Sequence, residues 1–205
     1  MAVQHSAAVC DRYEEEHLDW RRALPVLRNA TVTLRELKPA DAPALLAHIC
    51  TPPVCRYIAA PPASVEGFQR FIRWTRMERR RGALFCFGII PAGQSEPMGL
   101  IQVRSRDPQF SSAEWGFALA EPLWGTGVFV ASARLVLDFA FTRLGVLRLE
   151  ARAAEPNGRG NGVLQKLGAT REGKLRRGFR FGDSCLDDVM WSILAEEWAS
   201  RATRH

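Results

Sequence analysis

Apolar and polar residues alternate over 31–37 with β-branched residues at the start, which predicts a strand. Pro39, Ala40 and Asp41 then open a predicted helix reaching about Cys50. The proline-rich stretch 52–62 reads as a loop. Ser64 is placed to cap a helix ending near Arg81, with Phe68, Phe71, Ile72 and Met77 at roughly helical spacing and Gly82 as its stop. Three strands follow at 84–90, 98–104 and 113–120, joined by turns rich in Gly, Pro and Asp, in the manner of an antiparallel meander. The rhythm then changes. A glycine-containing turn at 124–127 leads into a helix stopped by Gly145. Next comes a strand over 146–153, in which Leu147, Leu149, Ala151 and Ala153 alternate with Arg148, Glu150 and Arg152. A turn at Asn157, a helix stopped by Gly168 and a last strand at 188–194 complete the pattern. The order predicts an α/β (α+β) fold: a mixed, mostly antiparallel sheet with helices on both faces. The charged segment 12–24, with Tyr13, His17 and Trp20, predicts one short helix ended by Pro25. It divides the chain into an N-terminal appendage at 1–29, one domain at 30–198 and a tail at 199–205.

Composition narrows the class. A chain of 205 residues, 47% apolar and 24% charged, has the make-up of one globular domain. It has no apolar run of the ~18 residues that a membrane span needs. The net charge of +6 is carried almost wholly by arginine, since Lys38, Lys166 and Lys174 are the only lysines. Planar, bidentate donors suit phosphate or carboxylate ligands. Arg79, Arg80 and Arg81 close a helical pattern, where cations complement the helix dipole. Cysteines 10, 50, 55, 86 and 185 are odd in number and lack C-x-x-C spacing, so neither a disulfide framework nor a metal site is expected. Cys86 and Cys185 lie in apolar strand patterns and are read as core. No secretory pattern is visible in the first residues, and reduced thiols point to the cytoplasm.

Trp124-Gly125-Thr126-Gly127 stands between a strand and a helix, where free helix N–H groups and bare backbone can cradle a pyrophosphate; alone, such a turn is equally a plain connector. Three blocks read together say more: Ala113-Glu114-Trp115-Gly116-Phe117, Trp124 to Gly127, and the run from Leu137 through Arg148-Leu149-Glu150-Ala151-Arg152 to Asn157, Leu164 and Gly168. In order and spacing the set resembles the GNAT superfamily of acetyl-CoA-dependent N-acetyltransferases, and within it the ribosomal-protein N-terminal (RimJ/RimL-type) branch, over about residues 30–198.

The resemblance implies splayed central strands and direct acetyl transfer from acetyl-CoA to a primary amine in a ternary complex. It implies that Trp115, Gly116, Phe117, Ala118 and Leu119 offer backbone groups to the pantetheine arm, and that Trp124, Gly125, Thr126, Gly127 and Val128 hold the pyrophosphate. Asn157 and Asn161 are expected beside the cofactor, Arg56 and Tyr57 at the acceptor groove, and a backbone N–H near Phe117 or Ala118 at the thioester oxygen. Two positions depart from the family pattern: Phe129 replaces a small residue in the loop, and Gly160 replaces a serine three residues after the asparagine.

An α-amino group, with a pKa of about 8, is easier to deprotonate than a lysine at about 10.4, a difference worth ~3 kcal/mol. Glu114 is the candidate general base, its structural alternative being an ion pair with an arginine such as Arg104. Expected partners are acetyl-CoA and an amine acceptor, a protein N-terminus or a small molecule, without metal, membrane or nucleic acid; the chain is a monomer or homodimer. A non-catalytic acyl-CoA-binding or sensor domain is the competing reading.

Overall fold

The computed structural model describes residues 19–182 and 184–202. The segment carrying Tyr13 and His17 lies outside them, as does Cys10. Eight strands form one sheet: β1 (Leu27–Arg28), β2 (Val32–Glu36), β3 (Leu84–Pro91), β4 (Gly99–Ser105), β5 (Ser112–Leu119), β6 (Arg148–Ala154), β7 (Thr170–Phe181) and β8 (Ser184–Leu194). Their spatial order is β1-β2-β3-β4-β5-β6-β8-β7. Every pairing is antiparallel except β5 with β6. The mixed, mostly antiparallel sheet read from the pattern is therefore the one observed.

Helices α1 (Ala42–Ile49), α2 (Pro52–Cys55), α3 (Val65–Arg80), α4 (Val128–Asp138), α5 (Gly158–Lys166) and α6 (Ala195–Ala202) pack around this sheet. Alternation along each strand separates two apolar clusters. On one face Phe85, Phe87, Ile101, Val103, Trp115, Leu149 and Ile193 meet Val136 and Leu137 of α4 and Leu164 of α5. On the other face Cys86, Leu100 and Ala118 meet Leu45 and Ile49 of α1 and Phe68 and Ile72 of α3.

Ser64 caps α3 as expected, its Oγ accepting from Gly67 N–H at 3.1 Å. Met77 departs from expectation: it is 40% exposed, while Arg79 is 2% exposed, because the buried face of α3 runs through Phe68, Ile72, Thr75 and Arg79. The proline-rich stretch is not all loop, since Pro52 starts the single turn of α2 at the N1 position that proline favours. Strand β7 is absent from the pattern reading. Cys86 is buried, but Cys185 is exposed near the β7–β8 turn, which corrects its reading as core. Helix α6 runs across the expected start of the tail at 199.

Candidate active site

Strands β5 and β6 are paired only over Ser112–Glu114, opposite Arg148–Glu150, whereas β5 stays paired with β4 as far as Leu119. The two central strands splay after Glu114. Arg106 N–H donates to Ser112 O at 2.8 Å, so alternation turns the backbone groups of Glu114, Gly116 and Ala118 toward β4. Those of Trp115, Phe117 and Leu119 are turned to the open side. The Leu119 carbonyl there is taken by Trp124 Nε1–H at 2.9 Å, which ties the following turn to the strand end. Of the two expected oxyanion donors, only the Phe117 N–H faces the open edge; the Ala118 N–H belongs to the β4 ladder.

A cleft of about 590 Å³ lies along this edge. Its walls are Phe117, Ala118 and Leu119 of β5, the turn residues Leu123, Trp124, Gly125 and Gly127, Phe129 and Val130 of α4, residues 156–160 with Gly162, Val163 and Lys166 of α5, and Pro53, Val54 and residues 56–58 in and after α2. Gly125 and Gly127 have φ of +76° and +86°, the left-handed region that glycine enters without steric cost. A Cβ at either would meet nothing within 4 Å, so the backbone here faces open space. Helical hydrogen bonding in α4 begins with Ala131 N–H to Gly127 O, leaving the N–H groups of Phe129 and Val130 without helical acceptors. Thr126 lies off the wall; its hydroxyl donates to Leu123 O and accepts a long, 3.4 Å bond from Val128 N–H. The ring of Phe129 is 9% exposed and packs on Phe117, so it points away from this cradle.

The opposite wall begins at Asn157, whose Oδ1 accepts from Gly160 N–H at 2.9 Å and caps α5. A Cβ at Gly160 would lie 2.5 Å from Asn157 Nδ2, so the missing serine and the cap are sterically coupled. Asn161 does not line the cleft. Its amide nitrogen donates to Ala154 and Asn157 carbonyls, and its Oδ1 accepts from Trp191 Nε1–H at 2.9 Å. Trp115 and Gly116 also lie off the wall, Trp115 with its ring in the core. Arg159 stands over the Trp124 ring at 4.5 Å on the cleft wall, and Arg56 stands over Tyr57 at 5.4 Å.

Glu114 is not part of the cleft wall. Its carboxylate accepts from Arg106 at 2.8 Å and lies 3.8 Å from Arg152, in place of the expected Arg104. Arg106 also approaches Glu150, which is bonded by Arg148 Nε at 3.0 Å. Arg148 and Ser192 in turn hold the Glu172 carboxyl down to about 2.

A bare, positively polarised helix start joined to a strand edge with free amides fits an extended ligand that carries a pyrophosphate and amide groups. Among the described residues no group of three or more His, Cys, Asp or Glu is placed to hold a metal. No helix there is long and apolar enough to cross a membrane.

Residues 31–170 match the sequence model of the family described as Acetyltransferase (GNAT) domain. The uncharacterized N-acetyltransferase p20 of Bacillus licheniformis is 27% identical over 177 residues, covering 86% of this chain and 99% of that protein. Among solved structures, Mycobacterium smegmatis RimJ in complex with CoA-disulfide superposes with a TM-score of 0.77 at 24% identity, covering 88% of this chain and 92% of its own. A GNAT-family acetyltransferase from Bacillus anthracis superposes with a TM-score of 0.73 at 20% identity, covering 84% and 100%.

Proposed function

Because the chain belongs to the GNAT acetyltransferase family, we propose that it moves an acetyl group from acetyl-CoA to a primary amine, by direct transfer with both substrates bound. The observation that carries this reading is the splay: the ladder to β6 stops at Glu114 while β5 continues to Leu119, and the freed edge opens on a cleft that ends at the start of α4. Acetyl-CoA supplies an acyl thioester, whose carbonyl carbon is the electrophile.

The chain's own residues bind and orient. Phe129 and Val130 N–H groups, with the bare turn at Gly125 and Gly127, receive phosphate oxygens. Trp115 and Phe117 offer backbone partners to amides, and the Phe117 N–H is the free donor for a carbonyl oxygen that gains negative charge. Arg159, laid on Trp124, adds a cation at the phosphate end of the cleft. Arg56 and Tyr57 border the other end, where the amine enters.

For the acceptor we favour a protein α-amine, in the manner of the RimJ/RimL-type branch. An α-amine carries its proton less tightly than lysine by about 3 kcal/mol, and no enzyme nucleophile is needed. Free thiols at Cys50, Cys55, Cys86 and Cys185 suit a reducing compartment, and we place the enzyme in the cytoplasm. The test is thiol release from acetyl-CoA with tetrapeptides beginning with Ala, Ser or Met, and with the same peptides N-acetylated. Release that requires the free α-amine is expected. Binding of coenzyme A without release for any amine would overturn the reading in favour of a sensor domain.

A further inference from the structure

One ionisable group near the splay is buried and unpartnered. Asp188 of β8 is 5% exposed, accepts no hydrogen bond and forms no ion pair among the described residues. A buried carboxylate without a partner is costly, and such a group calls for a role. Asp188 stands opposite Ala154 at the end of β6, two residues before Pro156 of the cleft wall. Val189, Trp191 and Ile193 point to the α4 face, so alternation sends Asp188 to the other face, shared with Glu114, Arg152 and Ala118. That face also carries α1 and α3, and Arg56 and Tyr57 follow α2 beside them.

The surroundings of Asp188 keep it free. Burial lifts its carboxyl above the usual range; Arg152 on β6 favours the negative charge and opposes the rise, while Glu114 on β5 adds to it. From β7 it meets a bulge, where the register jumps between Leu175 and Phe179 and Arg177 takes a φ of +56°. Arg177 N–H is spent on Asp187 rather than on Asp188. At Gly178 a Cβ would lie 3.0 Å from Asp188 Oδ2, so the bulge presents bare backbone there. Bulges that redirect a strand next to a reactive group are common beside active sites.

We propose that Asp188, not Glu114, is the carboxylate that receives the acceptor's ammonium group and takes its first proton. This rests on the acetyltransferase reading above. The ammonium gives one proton to Asp188; the neutral nitrogen bonds to the acyl carbon as the carbon–sulfur bond breaks. The second N–H proton leaves with the sulfur as the thiol, and Asp188 returns its proton to water. Glu114 is already held by Arg106 and Arg152.

The test compares wild type, Asp188→Asn, Asp188→Glu and Glu114→Gln in acetyl transfer to an Ala-initiated tetrapeptide between pH 5 and 9, with calorimetry of coenzyme A binding. Asp188→Asn is expected to lower kcat/KM by roughly 100-fold, within the usual range for a lost general base. Its coenzyme A Kd should stay unchanged, and its rate should climb with pH up to the amine's own pKa, as only amine that is already neutral then reacts, whereas the wild type accepts the ammonium form and holds its rate to lower pH. Asp188→Glu should restore part of the rate with a shifted limb, and it reads the same limb if the Asn variant does not fold. Glu114→Gln should keep both limbs. A wild-type profile in Asp188→Asn, with full rate, overturns the assignment and leaves the enzyme reading intact. Coenzyme A binding by wild type with no transfer to any amine overturns both.

Discussion

Phe129 lies against Phe117 with ring centroids 4.2 Å apart, joining the first turn of α4 to the free edge of β5. It also stacks toward Trp115 at 6.3 Å and 20°. A bulky side chain at a position where the family carries a small one therefore serves as a core pin between the two halves of the cleft. Phe129→Ala is expected to cost about 3 kcal/mol, typical of an emptied aromatic site, and to weaken coenzyme A binding as α4 loosens. Urea unfolding with calorimetry checks this; a loss below about 1 kcal/mol would show that the ring is not load-carrying in the core.

Gly127 caps α4 at a φ of +86°. Alanine there must enter the left-handed region, at a cost of about 1–2 kcal/mol, or rotate the cradle out of shape. We expect Gly127→Ala to raise the coenzyme A Kd at least about tenfold, since a 1.4 kcal/mol loss suffices. Gly93, at φ +80° in a turn with nothing near its Cβ position, is the control. Its alanine variant should carry the backbone cost alone, with coenzyme A affinity unchanged.

Asp41 is the clearest source of acid sensitivity. Burial raises its carboxyl, but Arg35 in a two-point contact at 2.7 and 2.9 Å and the Lys38 N–H at 2.7 Å outweigh burial and leave it below the usual range. A lowered folded pKa means that its stabilisation is complete above the unfolded value of about 3.9 and fades as pH falls through the folded one. Asp41→Asn should lose about 2 kcal/mol at pH 7 and show a flatter stability curve below about pH 4, read by urea titrations across pH.

Arg79 ties the entering chain to the sheet. Its Nε meets Glu36 Oε1 at 2.5 Å, and its Nη1 donates to the carbonyls of Trp20 and Arg21. Among the described residues Arg79→Ala leaves Glu36 with only Arg76, at 3.6 Å, and should cost about 3 kcal/mol, as for a broken buried pair. Trp20, edge-on to Phe85 and Phe110, should become accessible, so a red shift of its fluorescence is expected at denaturant concentrations where the wild type is unchanged.

Much of this arrangement was legible beforehand. Period-2 alternation in β2 and β6, the turn-bounded runs of β3, β4 and β5 and the Ser64 cap of α3 are local signals, each readable within a few consecutive residues. β7 was not legible: Thr170–Phe181 is rich in arginine and glycine and lacks alternation, and only its hydrogen bonds to β8 across two bulges make it a strand. Arg79 was read as a cation at a helix C-terminus because the dipole explains it locally; its burial depends on Glu36 and on the chain at 20–21, far away in sequence.

The candidate site divides along the same line. Residue types and spacing predicted a turn at 124–127, a strand at 113–120 and a turn at Asn157, each a property of a few consecutive residues; the site roles of these segments came from the resemblance of the whole set to the GNAT superfamily. Register between distant strands decided which of them face the cleft. It turned the backbone of Phe117 outward and that of Ala118 inward, spent Asn161 on Trp191, and placed Glu114 between two arginines. It also left Asp188 without a hydrogen bond among the described residues, because a side chain's neighbours across a sheet are set by pairing, which no local pattern contains.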